Sequence, residues 1–236
     1  VERVLEAFTR EVHDLYGPDL VAVVLYGSAA TGEHVAGASD INVAVILRQV
    51  TSALLRKASG RIRAWHRQGF ATPLFFDPEG LQRSLDVFPI EFLDMQERHR
   101  ILWGSDLLAP LRVGRGNLRL QCEQELRGKL LRLRQAYVES AGSPDELRRT
   151  LLVAAGSVLV LLRTLLRLAG GEPGGPAEVV LERAGARFAT STAHLAQVYR
   201  VKRGESRLAG SALDTLFQGV LGEVENLVRV VDELAA

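Results

Sequence analysis

Four residues between positions 27 and 42 carry the chemistry this sequence offers: Gly27, Ser28, Asp40 and Asn42. Gly27 has no Cβ, so a chain leaving a strand there turns sharply and lets a phosphate approach backbone amides, while Ser28 adds a hydroxyl. The lysine-bearing phosphate-loop pattern is absent. Asp40 and Asn42 flank Ile41, and the period of two along a strand puts both on one face with Ile41 and Val43 on the other. Two oxygen-bearing side chains beside a phosphate-sized turn suit a hard cation such as magnesium, bridging protein and nucleotide.

The elements that must position these residues read as follows. The β-branched run Val21 to Tyr26 is a strand, and a second strand is centred on Asp40 to Ile46. Between them, after the Gly27 turn, a short helix ends near Gly32, followed by an exposed loop holding His34, with Ser39 as a turn residue. Upstream, Val4, Leu5, Phe8, Val12 and Leu15 form a helical stripe that Gly17-Pro18 stops, and His13 lies on that helix's surface. Downstream, one helix is predicted over Thr51 to Gln68, with Trp65 in the core, then a strand over Ala71 to Phe76 and a short helix from Asp77-Pro78 through Leu85.

Phe88 to Asp94 reads as a further strand. Glu91 then points away from the face of Ile90 and Phe92, and an acid in so apolar a strand is costly unless paired or liganded. Asp94 is its rival, with a turn or cap role as the plainer reading. Ile101 to Gly104 is strand-like, with His99 before it in a structural role, and residues 111–117 form a linker. Long helices follow, at about Leu118 to Ser140, Pro144 to Ala169, Ala177 to Ala186, Thr192 to Val201 and Ser211 to Leu234.

Gly27-Ser28, a gap of eleven residues and then Asp40-Ile41-Asn42-Val43 resembles the signature of the DNA polymerase β-like nucleotidyltransferase superfamily, in particular its small bacterial members that include aminoglycoside nucleotidyltransferases. The resemblance implies an α+β protein: a nucleotidyltransferase domain over 1–113, built on a mixed sheet with flanking helices, and an antiparallel helical bundle over 114–236. It implies a nucleoside triphosphate donor, ATP first, with its phosphates on Gly27 and Ser28. It also implies Mg2+ ions held by Asp40, by position 42 and by a third carboxylate, for which Glu91 looks the match. The acceptor would be a hydroxyl of a small molecule or a protein. From the helical domain, Lys202 and Arg203, with Arg200, would meet the triphosphate, and Glu123, Glu125 or Glu139 a cationic acceptor.

The departure from that pattern is Asn42, where the family has a second Asp. An amide keeps one oxygen ligand but loses a full negative charge. Beside a dication, at an effective dielectric of about 20, that is on the order of several kcal/mol, and about 1.4 kcal/mol is tenfold in rate, so activity falls roughly a thousandfold or more. Three readings stay open: a catalytically silent nucleotide-binding or partner-binding module, an enzyme whose metal site another residue rebuilds, and a sequence in which the Asp was deliberately changed.

Composition sets the remaining bounds. The 236 residues carry 29 Lys+Arg against 28 Asp+Glu, a balance that argues against a general nucleic-acid binder. The single Cys122 makes no internal disulfide, and no Cys/His cluster exists for zinc. The apolar run Leu151 to Leu162 is shorter than the ~20 residues of a membrane span and is followed by Arg163 and Arg167, so it reads as a buried helix with no membrane partner. With no signal peptide in Val1 to Tyr16, a cytoplasmic protein is expected, and a homodimer is left open. Arg187 and His194 are spaced loosely like the ribonuclease motif of some helical-bundle toxins, a pair that arises easily by chance.

Overall fold

The structure, a computed structural model, describes residues 2–30, 40–140, 143–206 and 211–234. The chain divides into two compact units, Val1–Gly114 and Arg115–Ala236. The expected loop with His34 and Ser39 lies outside the described residues.

In the first unit, α1 (Glu2–Tyr16) leads through a 3-10 turn (Gly17–Asp19) into β1 (Leu20–Tyr26). A second 3-10 turn, Gly27–Ala29, leaves β1, and β2 spans Asn42–Leu47. Then come α2 (Ser52–Ser59), α3 (Ile62–Arg67), β3 (Leu74–Phe76), α4 (Pro78–Ser84), α5 (Pro89–Glu97) and β4 (His99–Gly104). The sheet order is β3-β2-β1-β4; β1 runs antiparallel to β2 and β4, and β2 parallel to β3. The architecture is α+β, a mixed sheet with flanking helices followed by an all-helical unit.

Burial on both faces explains why β1 and β2 are apolar throughout instead of alternating. On one face Val23, Leu25, Val43 and Val45 pack with Leu5, Phe8 and Val12 of α1 and Trp65 of α3. Phe8 anchors that layer, stacked on Phe70 at 4.3 Å and edge-on to Trp65 at 5.0 Å; such pairs add to what burial alone contributes. On the other face Ala22, Val24, Ala44 and Ile46 meet Leu81 of α4, Phe92 and Met95 of α5, and Leu108 and Leu111.

Three expectations are corrected here. The helix over Thr51 to Gln68 is two helices, broken at Gly60 and Arg61, where glycine weakens helix continuation. The strand over Ala71 to Phe76 keeps three residues, Leu74–Phe76; Pro73 has no N–H to give a ladder. Phe88 to Asp94 is no strand: Pro89 opens α5, Glu91 sits in its first turn, and Phe92 and Met95, three apart, are its buried stripe. Proline at the first helical position and an acid in the first turn both favour that helix start. The Ile90–Phe92 alternation was too short to outweigh them.

The second unit contains α6 (Arg115–Ser140), α7 (Pro144–Leu168), α8 (Ala177–Phe188), α9 (Ala193–Lys202) and α10 (Ser211–Glu233). α7 is long and apolar enough to cross a membrane, yet 56% of its apolar window is buried inside the structure, and α6, α8, α9 and α10 pack around it. It is the core helix of the bundle. Glu223 of α10, 3% exposed, ties the start of α9: its two oxygens accept from His194 N and Leu195 N, both at 2.9 Å, and from the Ser191 hydroxyl at 2.8 Å. A carboxylate on the free amides of a helix start is well placed against the helix dipole. Gly219 lets α10 come this close, since a Cβ there would stand 2.3 Å from the His194 ring.

Candidate functional site

The end of β1 and the start of β2 meet because an antiparallel pair joined by one connection aligns its near ends. Tyr26 pairs with Asn42 on one side and with His99 on the other. Asn42 thus shares a cross-strand row with Tyr26 and His99, on the face that α5 covers. Gly27 follows with φ +75, a left-handed conformation, and its N–H donates to Arg98 O at 2.9 Å. A Cβ on Gly27 would lie 3.5 Å from Asn42 Nδ2. The Asn42 amide therefore faces the open side of the glycine.

Asn42 is half-buried and Asp40 exposed. Neither side chain makes a hydrogen bond or ion pair with the described residues. Ser28 sits in the 3-10 turn beside them. The structure thus brings Gly27, Ser28, Asp40 and Asn42 to one end of the sheet. Tyr26 is more than half buried there, and burial pushes its hydroxyl above the usual range, keeping it a neutral donor.

The corner rests on a latch that the sequence reading missed. The His99 ring, 13% exposed, has Nδ1 3.0 Å from Gln96 O and Nε2 3.1 Å from Asp106 Oδ2. Asp106 also accepts the Leu108 and Ala109 amides at 3.0 Å each. Partial burial works to raise its pKa, but the Ala109 amide, His99 and the Leu108 amide together hold it below the usual carboxylate value. His99 is structural, fixing the Arg98–His99 segment whose carbonyl holds Gly27.

Glu91 does not stand where a strand would put it. It is exposed on α5, and at ~1.5 Å per residue it lies about 10 Å back along the helix axis from Arg98. Its rival Asp94 is closer in chain to the corner, with Oδ1 3.7 Å from Arg98 Nη1. In the second unit, Arg203 is held by Glu178 and by Glu205, the latter with its two oxygens 2.5 and 2.9 Å from Nε and Nη2. Lys202 Nζ lies 5.7 Å from the Tyr199 ring centre. Glu123 bridges Arg119 and Arg127, and Glu125 pairs with Lys129. His194 bonds Glu223 and Arg187 the Ala169 carbonyl, so the toxin-like pair has no shared site.

No family model matches the chain, and no curated protein matches it in sequence. Its fold has a solved counterpart, a spectinomycin adenyltransferase, AAD(9), from Enterococcus faecialis, determined with ATP and spectinomycin. The two agree at a TM-score of 0.58 over 95% of this chain and 99% of that one. This chain shares that fold. At 8% identity the likeness is one of architecture, and the site must be judged on its own residues.

Judged so, the corner does not fit the magnesium pair that the nucleotidyltransferase family implies. Among the described residues at this turn Asp40 is the anionic oxygen donor, Asn42 is neutral, and Glu91 lies on α5 and not on a neighbouring strand. Among the described residues no three Asp, Glu, His or Cys side chains gather at metal-binding distance. A hard dication needs several such oxygens.

Proposed function

We propose that this chain binds a nucleoside triphosphate, ATP first, with its phosphates at the Gly27–Ser28 corner, and transfers the nucleoside monophosphate to a hydroxyl of a small molecule or protein. The observation that carries the reading is the Asn42 amide, without a partner among the described residues, facing Gly27 at the end of β1, in a chain whose fold is shared by an adenyltransferase determined with ATP. The acceptor hydroxyl attacks the α-phosphorus, a bond forms to its oxygen, and pyrophosphate leaves with the cleaved P–O bond. Asp40 is the nearby base; Gly27 and Ser28 orient the phosphates, and positioning alone is a large share of such catalysis. A cytoplasmic setting, with neither nucleic acid nor membrane as partner, belongs to the same proposal.

The second reading is a module that binds nucleotide or another protein and transfers nothing. The neutral amide at position 42 favours it. Incubating the chain and Asn42→Asp with α-labelled ATP, against spectinomycin, other aminoglycosides and candidate proteins, separates the two. Label on an acceptor, strengthened in Asn42→Asp, supports transfer; no label with either protein leaves the module.

A further inference from the structure

We propose that the Gly27 corner takes nucleotide phosphates as the free anion, without a divalent cation. This rests on the nucleotide-binding half of the reading above and not on transfer. A carboxylate at position 42 would repel a polyphosphate unless a dication stood between them. The residue there is an amide, which either way round offers two N–H donors that a carboxylate lacks. Its side chain has no partner among the described residues, and Nδ2 lies 3.5 Å from where a Gly27 Cβ would be. A phosphate oxygen entering beside the glycine meets that donor directly.

The surrounding charge points the same way. Removing one of two anionic ligands weakens retention of a dication by on the order of a thousandfold. Asp40, the carboxylate among the described residues of the turn, is exposed, where water screens its repulsion of an anion. The Gly27 N–H itself is taken by the Arg98 carbonyl, so the side-chain donors at the turn are Asn42 and the Ser28 hydroxyl. Among the described residues the set of groups is that of an anion site, with hydrogen-bond donors where a metal site has clustered acids.

Calorimetric titration of ATP into the full chain, once in excess EDTA and once in excess MgCl2, tests this. The unaltered chain is expected to bind ATP equally in both, within about twofold, or more tightly in EDTA. Asn42→Ala loses roughly tenfold or more in EDTA, as expected for a lost hydrogen bond to a charged group. Asn42→Asp weakens in EDTA by a similar factor and recovers in MgCl2. Far-UV circular dichroism and tryptophan fluorescence establish that each variant is folded, and Asn42→Ala decides the matter if Asn42→Asp is not. Binding by the unaltered chain only in MgCl2, or an Asn42→Ala variant that binds unchanged, overturns the metal-free site while leaving nucleotide binding standing. No binding in either condition overturns both.

Discussion

Two glycines on the same sheet separate a residue kept for a ligand from one kept for the fold. Gly27 has φ +75 and Gly104 φ +79, so alanine at either costs about 1–2 kcal/mol for the left-handed backbone. The rest differs. A Cβ at Gly27 has Asn42 Nδ2 at 3.5 Å, an ordinary contact. A Cβ at Gly104 would be 2.1 Å from Val21 O and 2.9 Å from Ala22 Cα, backbone atoms of β1 that cannot swing aside. Relief there means parting the end of β4 from β1, where Gly104 pairs with Ala22, and overpacking adds about 1–3 kcal/mol. Gly27→Ala is therefore expected to lose about 1–2 kcal/mol and Gly104→Ala about 2–5 kcal/mol. Denaturant titration followed by tryptophan fluorescence measures this in the first unit alone, since both tryptophans of the chain, Trp65 and Trp103, lie there. ATP affinity should run the other way: Gly27→Ala fills the phosphate corner and abolishes binding, while Gly104→Ala, still folded in the cold, retains it. Equal losses of stability, or ATP binding that survives at Gly27→Ala, would refute the reasoning.

Glu223→Ala leaves the Leu195 amide buried without an acceptor; at about 1–3 kcal/mol per orphaned donor, and with the His194 amide and Ser191 also released, helical unfolding by circular dichroism should show a loss of roughly 2–4 kcal/mol. Glu223→Gln, keeping one acceptor oxygen, should lose about half that, and an unchanged Glu223→Ala variant would contradict the cap. Burial, with Glu125 adding to it, pushes the Cys122 thiol up to about 12; iodoacetamide should therefore leave it unmodified in the folded chain and alkylate it in denaturant. Asp106 is depressed in the folded state, so its contribution is present above the ordinary value of 3.8 and is lost as pH falls through the lower folded value. Stability of Asp106→Asn should accordingly vary less with acid pH than that of the unaltered chain, modestly, because the carboxylate is partly exposed.

The helical unit was legible because each of its signals is local. Ser143-Pro144 and Gly170 bracket α7 within a residue of its predicted ends, and the spacing of apolar residues marks the others. β1 and β2 were legible for the same reason, being short β-branched runs. The elements misjudged were those in which two local signals compete. Phe88 to Asp94 offers two alternating apolar residues and also a helix-opening proline, and only packing of Phe92 and Met95 on the sheet decides between them. The latch of Gln96, His99 and Asp106 and the Glu223 cap left no pattern, because each joins segments that only the tertiary fold brings together.

The candidate site divides along the same line. An antiparallel strand pair can bring together only its adjoining ends, so Tyr26 had to face Asn42 once both strands were recognised, and Gly27 had to stand beside them. The third carboxylate had no such constraint. A strand would have carried Glu91 in the sheet plane, whereas α5 holds it in the layer that Phe92 and Met95 pack against the sheet. The layer in which Glu91 stands was thus decided by how one proline starts an element. Asn42 is coherent with a phosphate-binding turn: a carboxylate there without a dication would repel phosphate, and an amide gives the corner a donor instead.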